Sequence, residues 1–291
     1  MHVYRKPADA TGSALIFVHM FRSGGTTLNR IIDWEYNPLR VFSINGRYCR
    51  WHYKKLTECP RRMLAQMHVF RGHMPFGLHR ILPQPWTYIT IQRDPVERIV
   101  SGYYTRLNRV HHREHFTMRG MNFEGYLRRL ALNNSQTKMI AGLGTPEDFL
   151  AGECTEDTLA VAKDNLTRYF TMIGITERFE ETLALSATLF GWKIPHYTSF
   201  NATRGRPKSL SPEIRAMVEE YNAFDVALYR HATALFDQTL EKHAAEMPAA
   251  LESVRKAKNL FGAELTYYRT ASTALKLFTL GNSTVRSLAR I

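Results

Sequence analysis

Residues 13–28 read SALIFVHMFRSGGTTL, and this stretch decides the fold. The run from Ala14 to Val18 is wholly apolar, with Ile16, Phe17 and Val18 suited to a strand buried on both faces. It passes without a break into Met20-Phe21-Arg22-Ser23-Gly24-Gly25-Thr26-Thr27-Leu28. A strand, a glycine turn and a helix beginning at Gly25 or Thr26 are therefore predicted. The first N–H groups of such a helix lack intrahelical acceptors and the helix dipole is positive at that end, so the junction favours an anion.

A second junction of the same kind lies downstream. Trp86 to Gln92 (WTYITIQ) predicts a strand that ends in Arg93-Asp94-Pro95-Val96-Glu97-Arg98. Asp94 suits an N-cap, Pro95 the first helical position and Glu97 the third, so a capping box starts the helix; the alternative is Asp94 as a magnesium ligand at a strand end. Glu97, Ser101 and Tyr104 then share a helix face, as do Arg98 and Ser101. A third strand is predicted at Phe170 to Ile175 (FTMIGI), followed by Thr176-Glu177-Arg178 and the helical run LALSATLFGW. Residues 120–168 read as mostly helical, 196–212 as a basic Ser/Thr/Pro loop, and SPEIRAMVEEYNAFDVALYRHATALFDQTL as closing helices. Strands alternating with helices predict an α/β fold with a parallel sheet that binds ligands at its carboxyl edge.

Composition limits what such a sheet can serve. The 291 residues are 44% hydrophobic, enough for a large core and contrary to disorder. No stretch reaches the roughly 18 apolar residues of a membrane span, since Thr266 to Gly281 is broken by Arg269 and Lys276. The N-terminus has an apolar run of only Ala14 to Val18, so no signal peptide is read there. Cys49, Cys59 and Cys154 show no metal-ligand spacing, which fits a reducing, cytoplasmic setting, with peripheral membrane contact as a further expectation. The net charge is +13, and residues 1–120 hold 19 basic against 7 acidic side chains, so the excess sits with the two junctions. Polyanions in general are attracted by such a field, and charge alone does not choose among them.

The glycine loop lacks the nucleotide-triphosphatase pattern G-x-x-x-x-G-K-[ST], because no Lys precedes Thr26 and the basic Arg22 stands before the two glycines. Instead FVHMFRSGGTTL (Phe17 to Leu28) resembles the 5′-phosphosulfate loop V-H-x-P-K-T-G-G-T-T-L of PAPS-dependent sulfotransferases, particularly the carbohydrate branch with heparan sulfate 2-O-sulfotransferase. Phe21 stands where that pattern has Pro, Arg22 where it has Lys, and Ser23 where it has Thr. The block ITIQRDPVERIVSGYY (Ile89 to Tyr104) is similar to the family's 3′-phosphate motif R-D-P-x-x-R-x-x-S-x-Y, matching at Arg93, Asp94, Pro95, Arg98, Ser101 and Tyr103. Weaker likenesses at Arg71 to His79, Asn133 to Gly142, Ile173 to Leu183 and Phe224 to Phe236 extend it over residues 13 to about 240. The resemblance implies a P-loop-like three-layer sandwich, a sulfotransferase domain over 1–250, and a basic C-terminal extension over 251–291 outside the match.

The roles that follow place Arg22, Ser23 and the N–H groups of Gly24 to Thr27, with the Thr26 and Thr27 hydroxyls, on the phosphosulfate of PAPS. Arg93 and Ser101 go to the 3′-phosphate, where two charge-assisted hydrogen bonds would favour the 3′-phosphorylated nucleotide by about 10² or more; the alternative for Arg93 is pairing with surface acids. Arg204 and Arg206, with Lys208, are expected as a basic lid over the nucleotide, or as an ordinary solvated loop. PAPS would be the donor and PAP the product, and no metal is required where the chain supplies the cations. His73, in Arg71-Gly72-His73, aligns with the family's G-H motif and is the expected base, with His68 and His79 as rivals and His19 ordering the loop. The cluster His111-His112-Arg113-Glu114-His115 reads as a solvated helix end or acceptor-contacting surface before a metal site. The expected partner is a hydroxyl-bearing acceptor, an acidic oligo- or polysaccharide, and not nucleic acid; residues 251–291 would pack back on the domain or touch a membrane surface. Two other functions compete: a divergent kinase using Mg-ATP, and a non-enzymatic basic adaptor binding polyanions.

Overall fold

Five strands pair in parallel in the order β2-β3-β1-β4-β5: β1 (Ala14–Val18), β2 (Val41–Ile44), β3 (Val69–Gly72), β4 (Trp86–Gln92) and β5 (Phe170–Ile175). The computed structural model describes residues 13–44, 49–108, 115–118, 120–143, 150, 152–195, 197 and 210–258. Among these the helices are α1 (Gly25–Glu35), α2 (Cys49–Thr57), α3 (Arg61–Leu64), α4 (Pro95–Asn108), α5 (His115–Met118), α6 (Phe123–Arg129), α7 (Ser135–Ala141), α8 (Glu156–Tyr169), α9 (Phe179–Phe190), α10 (Pro212–Tyr221), α11 (Ala223–Lys242) and α12 (Met247–Lys258). Every residue of β1 is buried, as expected of a central parallel strand covered by helices on both faces. The predicted α/β sheet flanked by helices is the observed one.

Two strands were not legible. β2 (VFSI) and β3 (VFRG) have four residues each, too few for a periodic signal, and Ser43 and Arg71 interrupt their apolar character. Gly72 closes β3 with φ 144°, and a Cβ there would fall on the Ile44 carbonyl of β2, so only glycine lets the two strand ends come together. The chain leaves β1 toward β2 on one side and, after β3, passes it to reach β4 on the other. The carboxyl end of β1 therefore lies at the reversal of strand order, where open α/β sheets bind ligands.

The α4 start forms as predicted in one half. Asp94 Oδ1 accepts the Glu97 N–H at 3.0 Å, which makes Asp94 an N-cap. The reciprocal donor, the Asp94 N–H, faces the Glu177 carboxylate at 3.3 and 3.4 Å, so the chain after β5 takes the part expected of Glu97. Farther along α4, the fully buried Arg98 donates to Asp225 Oδ2 at 3.1 Å and to the Leu132 carbonyl at 2.9 Å. Asp225 Oδ1 accepts from both the N–H and the hydroxyl of Thr137, at 2.7 and 2.8 Å, and its Oδ2 accepts the Gln136 N–H at 3.2 Å. One carboxylate from α11 thus caps α7 and neutralises α4.

Near the C-terminus, α12 runs through position 250 and packs on α9, with Val254 buried and the Lys258 ammonium 2.6 Å from Glu180. Residues 259–291, the bulk of the expected extension, lie outside the described residues. No helix among the described residues is long and apolar enough to cross a membrane. Replacing Asp225 by Ala leaves the Arg98 charge buried and α7 uncapped. The expected loss is about 3–5 kcal/mol of unfolding free energy, read as a lower denaturant midpoint at constant slope.

Candidate functional site

The first junction is built by β1 and α1. Gly24 is the N-cap residue of α1 in the left-handed region (φ 71°, ψ −2°), and neither a side-chain cap nor an acidic residue occupies the first turn. The positive end of the helix dipole at such a start favours an anion. Arg22 also has positive φ (64°), an uncommon conformation for a non-glycine residue. Of the expected donors, the Thr27 N–H is taken by the Gly24 carbonyl at 3.0 Å, which removes it from the set assigned to the phosphosulfate. Thr26 is exposed, whereas Thr27 and Ser23 are buried.

The second junction meets the first. Arg22 Nε and Nη2 both donate to Ser101 Oγ, at 3.1 and 2.9 Å, and Arg93 Nη1 donates to the Arg22 carbonyl at 2.7 Å. A planar guanidinium can grip one hydroxyl with two N–H groups, which a lysine ammonium on the same stem would not do. The residues expected on the phosphosulfate and those expected on the 3′-phosphate are therefore in direct contact. The Arg93 guanidinium also lies 3.8 Å from Glu97 and 3.7 Å from Glu177, both beyond hydrogen-bond length. Burial raises the Glu177 carboxyl above the ordinary carboxylate range, and the Tyr229 hydroxyl donates to it at 2.9 Å.

Gln136 falls in the Asn133 to Gly142 likeness, and the structure gives it a specific contact. Its Oε1 accepts the Arg93 N–H at 2.9 Å and its Nε2 donates to the Arg93 carbonyl at 2.9 Å, so one side-chain amide fixes the backbone that carries Arg93. Glu177, Asn222 and Asp225 were not singled out by the sequence. Their signal is absent because the bonds that matter here, Glu177 to the Asp94 N–H, Asn222 to the Asn134 N–H and Asp225 to Thr137, cross 83 to 88 residues of chain.

His73 lies at the end of β3, where its N–H donates to the Ile44 carbonyl at 3.2 Å. Its Nδ1 is 2.7 Å from the His19 carbonyl, an atom that can only accept, so Nδ1 carries the proton and Nε2 is the basic nitrogen. Burial lowers the His73 pKa, and the bond to the His19 carbonyl opposes part of that shift. His19 is held well below the ordinary histidine value by burial, then by His73 and Arg71. The His19 ring occupies the space a Cβ at Gly25 would need, so the loop-ordering role expected of His19 has a steric basis in the second glycine. Arg71 pairs with Asp33 of α1 at 2.6 Å and donates to the Asn29 carbonyl at 2.7 Å, tying β3 to α1.

The rival histidines lie in other settings. His79 Nδ1 is 3.1 Å from the Tyr88 hydroxyl and its ring packs on Phe76 and Trp86, a structural cluster. His68 is half-buried at the start of β3. Arg204, Arg206, Lys208 and residues 111–114 fall outside the described residues, as does the His115 side chain. Among the described residues, no three His, Cys, Asp or Glu side chains gather as metal ligands.

A parallel sheet whose central strand feeds the start of α1, joined by Arg22 to a second cationic strand–helix junction and flanked by an ordered imidazole, gives an α/β candidate site with two basic junctions at one sheet edge. Residues 44–263 match the family model for galactose-3-O-sulfotransferase. The chain belongs to this family of carbohydrate sulfotransferases. It is 24% identical to mouse heparan-sulfate 6-O-sulfotransferase 3 over 77% of this chain and 57% of that protein. Its identity to heparan sulfate 2-O-sulfotransferase of Caenorhabditis elegans is 24% over 79% and 73% of the two chains, and to mouse galactose-3-O-sulfotransferase 3 it is 24% over 79% and 58%. The likeness is thus to carbohydrate sulfotransferases as a group and not to the 2-O branch alone. The chain spans less than two thirds of the length of the 6-O and galactose 3-O relatives.

The depressed histidines give the fold a pH signature. Below about pH 6.5 the unfolded chain protonates His19 while the folded one resists, so stability is complete above that pH and declines as pH falls. In chemical denaturation at pH 7.5 and pH 5.5, wild type is expected to lose stability relative to His19→Gln. The difference approaches about 1.4 kcal/mol per pH unit for one proton, and parallel pH curves would remove His19 as its source.

Proposed function

We propose that the chain transfers the sulfuryl group of PAPS to a hydroxyl of a carbohydrate acceptor by in-line displacement, with His73 as the general base. The observation that carries this reading is the convergence of three groups at one sheet edge: the α1 start, the Arg93–Ser101 junction bridged by Arg22, and the imidazole fixed by His19. PAPS supplies a sulfuryl group activated by a phosphate leaving group. The residues fit it, because the Gly24–Gly25 turn holds an open helix start and Gly25 yields its side-chain space to His19.

In this reading Arg22, Ser23, Gly24, Gly25, Thr26 and the Thr27 hydroxyl hold the phosphosulfate, and Arg93 and Ser101 hold the 3′-phosphate. The fixed N–H groups and guanidinium neutralise charge growing on the leaving oxygen, a task given to metal ions in many phosphoryl-transfer sites. His73 Nε2 takes the acceptor proton as the hydroxyl oxygen bonds to sulfur and the bond from sulfur to the phosphate oxygen breaks. Its lowered pKa keeps the imidazole unprotonated near neutrality, so the acidic limb of the pH–rate profile is expected below about pH 6.5. The basic excess of residues 1–120 favours an acidic oligo- or polysaccharide as acceptor. Arg204 and Arg206 close over the nucleotide in this reading.

Calorimetric titration with adenosine 3′,5′-bisphosphate, 5′-AMP and ATP, with and without Mg²⁺, tests the nucleotide. Metal-independent selectivity for the bisphosphate, lost in Arg93→Ala, is expected; preference for Mg-ATP would replace this reading with a kinase. His73→Ala is expected to lose about 10² to 10⁴ in rate while still binding the bisphosphate. Unchanged turnover would take His73 out of the reaction.

A further inference from the structure

We propose that Phe21 is a positioning residue for His73, clamping the imidazole against His19 so that a single orientation and tautomer is presented to the acceptor hydroxyl. The proposal rests on the reading of His73 as the base. Its foundation is a column of four rings. Phe17 lies within β1 and is fully buried. The His19 ring stacks on it with centroids 5.3 Å apart and planes 15° from parallel. His73 stacks on His19 at 4.4 Å and 29°, and Phe21 covers the other face of His73 at 4.1 Å and 10°. The base is thus the third ring of a stack that starts in the core and ends in the glycine loop.

Each contact removes a different freedom. The bond from Nδ1 to the His19 carbonyl fixes which nitrogen is protonated and sets the ring's rotation about its Cβ–Cγ axis. The two flanking faces stop the ring from tilting or swinging out. The lower face cannot retreat, because His19 fills the space beside Gly25. Among the described residues Phe21 is the one ring stacked on the upper face of His73, and a flat apolar ring adds desolvation that a proline at that position would supply only in part. Phe21 precedes Arg22, whose carbonyl receives Arg93 and whose guanidinium holds Ser101, so the clamp and the anion site share two consecutive residues. Placing a base within a fraction of an ångström of its proton is the service such a residue performs.

The titratable and charged groups around the clamp are His19 at the end of β1, Arg71 on β3, its partner Asp33 on α1, and Arg22 in the loop. None of them is changed by substituting Phe21. The test therefore compares the full chain with Phe21→Ala, Phe21→Leu and Phe21→Tyr, using ¹⁵N-labelled histidine and steady-state kinetics. In wild type and Phe21→Tyr, the two-bond ¹⁵N–¹H pattern of His73 is expected to report one tautomer, with the proton on Nδ1. In Phe21→Ala and Phe21→Leu the ring is expected to swing off the His19 carbonyl for part of the time, so the pattern should become a tautomer mixture and kcat should fall about two- to tenfold at unchanged donor KM. Leu keeps the apolar volume without the aromatic face, so it carries the test if the Ala variant does not fold.

Unchanged His73 signals and kcat in the Leu variant would overturn the clamp. So would a loss confined to donor KM, which would place Phe21 in the loop's hold on the nucleotide. A change in tautomer pattern in a protein that shows no sulfuryl transfer would uphold the clamp and overturn the assigned reaction, so the two failures are distinct.

Discussion

The Asp225 carboxylate has no solvent contact, and the second anion junction is held in place through it. A buried charge of this kind is tolerated only when its lone pairs are filled, and here four donors fill them: Arg98 from α4 and three groups of the first turn of α7. The consequence reaches the site in two steps. Fixing the start of α7 fixes Gln136, and the Gln136 amide then holds both backbone polar groups of Arg93. Fixing Arg98 holds α4, whose next turn carries Ser101. The strand end that carries Arg93 and the helix turn that carries Ser101 are positioned by a single carboxylate from α11, remote in sequence from both.

The first junction uses packing for the same purpose. Gly25 and Gly72 each leave out a side chain where another group must come close, the His19 ring in one case and the Ile44 carbonyl in the other. Those two approaches bring His73 beside the α1 start, because His19 stacks on His73 and Ile44 accepts its N–H. The Arg71–Asp33 pair adds a polar tie between β3 and α1; burial raises Asp33, and the partner guanidinium opposes that shift. The His73 imidazole is therefore ordered by steric exclusion, ring stacking and one carbonyl.

These arrangements explain what was legible in the amino-acid sequence. β1, β4 and β5 are five to seven residues rich in apolar, β-branched and aromatic side chains, and the junctions after β1 and β4 carry local signals in Gly24-Gly25 and Asp94-Pro95. β2 and β3 are short edge-side strands whose existence depends on partners, so no local pattern marks them. The N-cap at Asp94 was readable because capping is local; Glu177 was not, because it reaches the Asp94 N–H from the end of the neighbouring strand β5, 83 residues away in sequence. Arg98 was visible as part of a motif, but its buried partner was not. Motif matching reports that a residue type recurs and leaves open whether it faces a ligand or the core.

Arg22 brings the two junctions into one unit. With lysine at this position, a single compact charge would serve the loop. The guanidinium spans farther and donates from two nitrogens to Ser101, while the backbone carbonyl of the same residue receives Arg93. One residue thus contacts both members of the second junction while standing in the first. In the proposed reading an anion at either junction would alter the hydrogen bonds available to the other, because the Arg22 guanidinium holds Ser101 while the Arg22 carbonyl receives Arg93. A ligand with two separated anionic groups would then satisfy the pair of junctions better than two independent anions can.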